Sequence, residues 1–194
     1  MRGPSAAVRG ERVRRRLRRA AVELIAERGW RAVTTRLVAE RAGVGAGLVH
    51  YHFASVEALL QDAAIGLLRA VVAEVENVFD DADDLERGMG LLLGALDAYT
   101  GRDPVSLVVL ESYLAATRDA RFGAEVTGIL TGFRGRLAAW LDRCGTPDPA
   151  PTAAVLAAAV DGLLLHRGLD PALTVAVARP VLGRIAATPT QEGT

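Results

Sequence analysis

Lysine is absent from this 194-residue chain, cysteine occurs once and aromatic residues make up only 5% of it. With Cys144 alone, no intramolecular disulfide and no cysteine metal cluster can form, which fits a reducing compartment. No uninterrupted apolar run approaches the roughly 20 residues a membrane span needs; Ala153 to Val160 is typical. The basic start is followed by polar residues rather than an apolar segment, so the expectation is a cytoplasmic protein with no membrane partner. Disorder of the whole chain is excluded in turn, because 51% of the residues are hydrophobic and a chain of this size buries roughly 70% of its unfolded surface.

The lack of lysine reads as a compositional bias, since 23 arginines balance 23 acids. Their distribution is uneven. Residues 1–60 carry 12 arginines against 5 acids, a surplus of +7, and the remainder carries the matching −7. A basic head on an acidic body suggests that the head meets a polyanion.

Helical periodicity runs through nearly every segment, giving an all-α fold class with about nine helices and no strand. Val13, Leu17, Ala20, Ala21, Leu24 and Ile25 recur at three and four residues between Arg12 and Arg28, with arginines on the opposite face and Gly29 as the stop. Thr34 is an N-cap candidate for a short helix from Thr35 to Ala42, Gly43 ends it, and another short helix spans Ala46 to His52. Ser55 starts a long helix to about Phe79. The acidic stretch Asp80, Asp81, Asp83, Asp84 is a loop whose last member caps a helix to about Thr100. Asp103 and Pro104 open a helix to about Ala116, and a long amphipathic segment covers Arg121 to Arg143. Pro147, Pro149 and Pro151 predict a loop over 145–151. Two last helices are expected at about Thr152 to Arg167 and Pro171 to Ala187.

The window from Thr34 to Leu60, TTRLVAERAGVGAGLVHYHFASVEALL, has the spacing of a helix-turn-helix: a capped short helix, a turn at Ala42-Gly43-Val44 and a second short helix. It resembles the DNA-binding domain of TetR-family transcriptional regulators, whose pattern is T-x-x-x-I-A-x-x-A-G-V-S-x-G-x-L-Y-x-Y-F-x-S-K-x-x-L-L. Thr34, Val38, Ala39, Ala42, Gly43, Val44, Gly47, Val49, Phe53, Ser55, Leu59 and Leu60 match it directly or conservatively. Ala21, Leu24, Ile25 and Gly29-Trp30 match the helix before it. Beyond residue 62 the likeness thins to Arg118-Asp119 and Val160-Asp161-Gly162-Leu163. Gly45 stands where the family usually has serine, Val56 where it has lysine, and His50 and His52 where tyrosines are commoner, so side-chain phosphate contacts are lost and binding leans more on arginines.

The resemblance implies a flexible basic arm over 1–11, a helix-turn-helix domain over 12–55 and a helical effector-binding and dimerisation domain over 56–194. It implies DNA contacts from Thr34, Thr35 and Arg36 at the start of the second helix, from Gly45, Ala46, Gly47 and Leu48 opening the recognition helix, and from His50, Tyr51 and His52. Metal binding by the two histidines is not expected, because residues two apart point to different faces of a helix and no third ligand lies near. The middle helices would enclose a small, largely apolar effector, with Asp97, Tyr99, Glu111, Tyr113, Phe122, Phe133, Trp140 and His166 as candidate contacts and ordinary core or surface positions as the competing reading. The last two helices would pair with their copies in a homodimer, through Ala158, Asp161, Gly162, Leu165, Val177 and Val181. The expected partners are a double-stranded operator, a second copy and an unidentified effector, with no cofactor. No nucleophile with a neighbouring base, paired carboxylates or phosphate-cradling glycine loop suggests an enzyme. The rival readings are a regulator without an effector and a helical carrier, the latter disfavoured by the basic head.

Overall fold

A computed structural model describes residues 5–79, 82 and 84–187. Among them are nine α-helices, three short 3-10 turns and no strand. The helices are α1 (Ala6–Arg28), α2 (Thr35–Ala42), α3 (Ala46–His52), α4 (Val56–Glu76), α5 (Leu85–Ala95), α6 (Pro104–Ala116), α7 (Ala120–Arg143), α8 (Pro149–Arg167) and α9 (Val175–Ala186).

Local signals set most of these boundaries. The Thr34 hydroxyl accepts from the Leu37 amide at 3.3 Å, Ser55 does the same for Ala58 at 3.0 Å, Asp84 for Arg87 at 2.8 Å and Asp103 for Ser106 at 2.9 Å. Each satisfies one of the amides that a helix start leaves without an internal partner. Three expectations need correcting. The arm is helical from Ala6, because Ser5 caps the Val8 amide and alanines follow; Arg2 lies outside the described residues, as do Asp80, Asp81 and Asp83. Pro149 and Pro151 belong to α8, since a proline in the first turn gives up an amide that would have no intrahelical acceptor. Asp170-Pro171 forms a turn instead of a helix start, its carboxylate accepting from the Ala172 amide at 3.0 Å, and Thr174 caps α9.

The chain divides into two compact units. The first, the head, comprises the described residues of Met1–Leu68 together with Asp103–Val126. A partition in chain order at residue 55 would leave α6 outside the head, yet α1 packs against α6 within it. Its core contains Leu17, Leu24, Ile25, Val38, Val49, Leu59, Leu60 and Phe122, all nearly inaccessible to solvent. The second unit, the body, comprises the described residues of Arg69–Arg102 and Thr127–Thr194. Its core gathers Phe79, Met89, Leu92, Leu93, Leu137, Trp140, Leu141, Leu156 and Leu163. Trp140 stacks on Phe79 at 5.5 Å and donates its indole N–H to the Ala82 carbonyl at 3.2 Å. A Cβ on Gly88 would lie 2.0 Å from the Trp140 ring, so only glycine lets α5 pass the indole. One further expectation changes. α8 is long and apolar enough to cross a membrane by length and composition, interrupted chiefly by Asp161, although Ala153, Leu156, Ala157 and Leu163 on it are buried in the body.

Candidate nucleic-acid interface

The turn between α2 and α3 is built by Gly43, whose left-handed φ of 62° suits a residue without a side chain. The Gly43 amide donates to the Glu40 carbonyl at 3.0 Å and the Val44 amide to the Ala39 carbonyl at 2.9 Å, closing the end of α2. Arg16 of α1 fastens this corner, its guanidinium donating to the carbonyls of Ala42 and of Gly43, the latter at 3.1 Å. Val49 then enters the core from α3 while Leu48, His50 and Tyr51 remain exposed, Tyr51 at 80%.

With about 3.6 residues per turn, burial of Val49 directs Gly47 and Tyr51 outward, flanked by Leu48 and His50. Thr34 and Arg36 are exposed at the start of α2 and Thr35 is half-buried. Gly45 and Ala46 are also exposed. His52 is half-buried, edge-on to Tyr51 at 4.9 Å, and a Cβ on Gly10 would lie 3.7 Å from it, so it packs on α1.

The α1 arginines are used in different ways. Arg18 pairs with Asp62 at 2.6 Å, and that hydrogen bond raises its pKa. Arg14 lies over the Phe53 ring at 5.2 Å. Arg12 and Arg15 are exposed, and Arg19 reaches Glu23 at 2.9 Å. Arg41 of α2 binds Glu27 at 2.7 Å, and its hydrogen bond holds that carboxyl below the usual range.

Trp30 closes the other end of α1. Its amide donates to Glu111 of α6 at 3.1 Å, its indole N–H to Glu57 of α4 at 3.0 Å, and its ring meets Phe122 of α7 at 5.6 Å. Asp119 caps the Phe122 amide at 2.9 Å and accepts from Gln61 at 3.1 Å; these bonds, the backbone one first, lower its pKa.

Residues 17–63 match the family described as bacterial regulatory proteins, tetR family, and residues 80–188 match the tetracyclin repressor-like C-terminal domain. This chain belongs to the TetR family of transcriptional regulators. It is similar to the HTH-type transcriptional repressor KstR2 of Mycobacterium tuberculosis, 37% identical over 79 residues that make up 40% of each chain. The match thus spans less than half the length of that repressor. The HTH-type transcriptional regulator PksA of Bacillus subtilis is 29% identical over 171 residues, 83% of this chain and 81% of that one. A transcriptional regulator from Rhodococcus sp. Rha1, RHA1_ro04179, superimposes with a TM-score of 0.78 at 27% identity, over 89% of this chain and 93% of that one.

Within this TetR-family fold the eight candidate effector residues are divided between the two units. Glu111, Tyr113 and Phe122 belong to the head, and Glu111 and Phe122 are the partners of Trp30. Trp140 is fully buried and its N–H is bonded. Tyr99 donates to Glu74 at 3.3 Å, Phe133 packs near Phe79 at 6.1 Å, and Asp97 and His166 are exposed. A body cavity of about 370 Å3 is lined instead by Leu85, Met89, Pro180, Gly183 and Ala187, with Glu86 and Arg179. The candidate dimer residues are more coherent. Ala158, Leu165, Val177 and Val181 are exposed, Asp161 and Gly162 half-buried, and Val155, Leu169 and Ile185 extend the apolar face. Sequence reasoning misses Arg16, Glu57, Gln61 and Asp119; the partners that join them across the head lie 26 to 58 residues away, and no local pattern marks such pairs.

Proposed function

We propose that this TetR-family regulator is a homodimeric repressor that places two copies of α3 into successive major grooves of a pseudo-palindromic operator, about one helical turn apart. The observation that carries this reading is the outward face of α3, where Gly47, Leu48, His50 and Tyr51 project from a helix fixed behind by Val49 and the Arg16 clamp. Thr34, Thr35 and Arg36 at the start of α2 would hold phosphates. The repressor sense is supported by the printed name of KstR2, and a protein acting on the chromosome works in the cytoplasm.

The dimer would form through α8 and α9. Leu165 is 44% exposed, Val177 56% and Val181 46%, and such apolar positions at helical spacing on neighbouring helices fit a self-complementary interface. A small, largely apolar effector would bind the body and release the operator. The 370 Å3 cavity between α5 and α9 is within the size range of small-molecule sites and gives this part of the reading a physical location.

Fluorescence-anisotropy titration against DNA from upstream of its own gene, with random DNA as control, tests the proposal at two salt concentrations. Tight, selective binding that weakens steeply with salt is expected. Absence of binding to any DNA at either salt would refute the operator reading and restore the carrier alternative. A monomer in sedimentation equilibrium at the concentrations used would refute the dimer.

A further inference from the structure

The recognition helix offers little hydrogen-bonding chemistry where it would meet the bases. Gly45, Ala46, Gly47, Leu48 and Val49 carry no side-chain donor or acceptor, and only His50 and Tyr51 follow on the exposed side. A helix that reads guanine or adenine edges directly does so with arginine, lysine, asparagine or glutamine. None is present between Gly45 and Phe53.

Two exposed features remain. Leu48 is 39% accessible, a branched apolar side chain on a helix whose own core contact is made by Val49. Gly47 sits at the centre of the outward face, and a Cβ there would meet nothing within 4 Å. Its backbone is helical with no positive φ. Nothing inside the head therefore requires glycine at this position, although glycine is a poorer helix former than alanine. With no side chain at Gly47, the backbone of α3 is bare at the centre of its outward face and open to the approach of an external surface.

Resting on the operator reading above, we propose that Leu48 is a specificity-determining residue that selects thymine through its 5-methyl group, the one apolar feature the major groove displays, while the bare backbone of Gly47 lets α3 come close enough for that contact. The operator half-site thus carries a thymine facing Leu48, and selectivity there depends on a methyl group and on the fit of the helix. His50 and Tyr51 add polar contacts further along the same face.

The test uses the purified full chain and a random duplex library from which bound sequences are enriched. Each thymine of the enriched half-site is then replaced in both halves by deoxyuridine, which keeps every hydrogen-bonding group and removes only the methyl. At one position this replacement is expected to weaken wild-type binding by about 3- to 10-fold. Leu48→Ala should bind thymine and deoxyuridine sites there alike. Gly47→Ala should melt at the same temperature or higher yet bind the enriched site more weakly. Indifference of the wild type to every replacement overturns the proposal, as does a Leu48→Ala protein that keeps the wild-type preference or a Gly47→Ala protein with undiminished affinity. A library that yields no enriched sequence refutes the operator reading itself, and the proposal with it, an outcome separable from selective binding that ignores the methyl.

Discussion

The head and the body of this regulator share one amino-acid bias and employ it differently. In the head, arginines mostly meet carboxylates or aromatic rings: Arg18 with Asp62, Arg41 with Glu27, Arg14 over Phe53, with Arg16 on the end of α2 as the exception. In the body three of them close helix and turn ends, beside looser ion pairs of Arg136 with Glu76 at 3.4 Å and of Arg167 with Asp97 at 3.8 Å. Arg102 donates to the Gly168 carbonyl at 2.5 Å, Arg167 to that of Leu96 at 2.9 Å and Arg143 to that of Phe79 at 3.2 Å. The head also joins distant segments by bonds to acidic side chains, with Trp30 bound to both Glu57 and Glu111, whereas aliphatic packing around Trp140 carries the body. Cross-linking by polar bonds fixes the geometry of the head at individual contacts, while an apolar interior is specified more by volume and patterning than by single bonds.

Breaking each unit at its tryptophan contrasts them most strongly. Trp30→Ala removes a buried ring and its indole hydrogen bond to Glu57 together and should destabilise the head by about 3–5 kcal/mol in urea unfolding, with loss of DNA binding. Gly88→Ala attacks the body without removing anything, since the new methyl displaces the Trp140 indole. A cost of about 1–3 kcal/mol and a change in near-ultraviolet dichroism are expected. Smaller still is Glu111→Ala, which leaves the Trp30 amide without its acceptor and should cost about 1–2 kcal/mol in the same urea assay.

Arg36→Ala sharpens the contrast from the other side. The residue is exposed, so unfolding should shift by no more than about 0.5 kcal/mol, while operator affinity falls and the salt slope drops by about 1. An unchanged slope would remove Arg36 from the phosphate contacts. The smallest effect concerns acid. Asp119 has its folded pKa lowered by the Phe122 amide and Gln61, so its contribution is present above the unfolded value of about 3.9 and fades as pH falls through the lower folded one. Asp119→Asn should flatten acid unfolding below about pH 4 relative to wild type, read by far-ultraviolet dichroism.

The elements most legible in the sequence were those with their own caps and stops: Thr34, Gly43 and Asp103 mark the observed ends because a side chain or a left-handed glycine acts within a few residues. Prolines are ambiguous where the rule is positional: Pro149 and Pro151 suggest a loop by composition yet are compatible with the first turn of α8. The exposed face of α3 followed from its motif. Placement of Glu111 did not, because its partner Trp30 is 81 residues away and nothing local distinguishes a carboxylate that holds an amide from one that lines a cavity. The apolar face of α8 and α9 shows the converse, a helical pattern visible in sequence whose sidedness only the packing of Leu163 and Leu182 defines.

The way Arg14 and Arg16 are held bears on the speed of encounter. One lies against an aromatic ring and the other is bonded to two backbone carbonyls, so both are fixed by groups without a net charge. Their positive charge is therefore still felt at a distance, joined by that of exposed Arg12 and Arg15. Long-range attraction of this kind raises diffusional capture by a polyanion and decays over a screening length of roughly 8 Å at physiological salt. Two side chains that serve the internal architecture of the head thereby also draw it toward DNA, without either having to touch a phosphate.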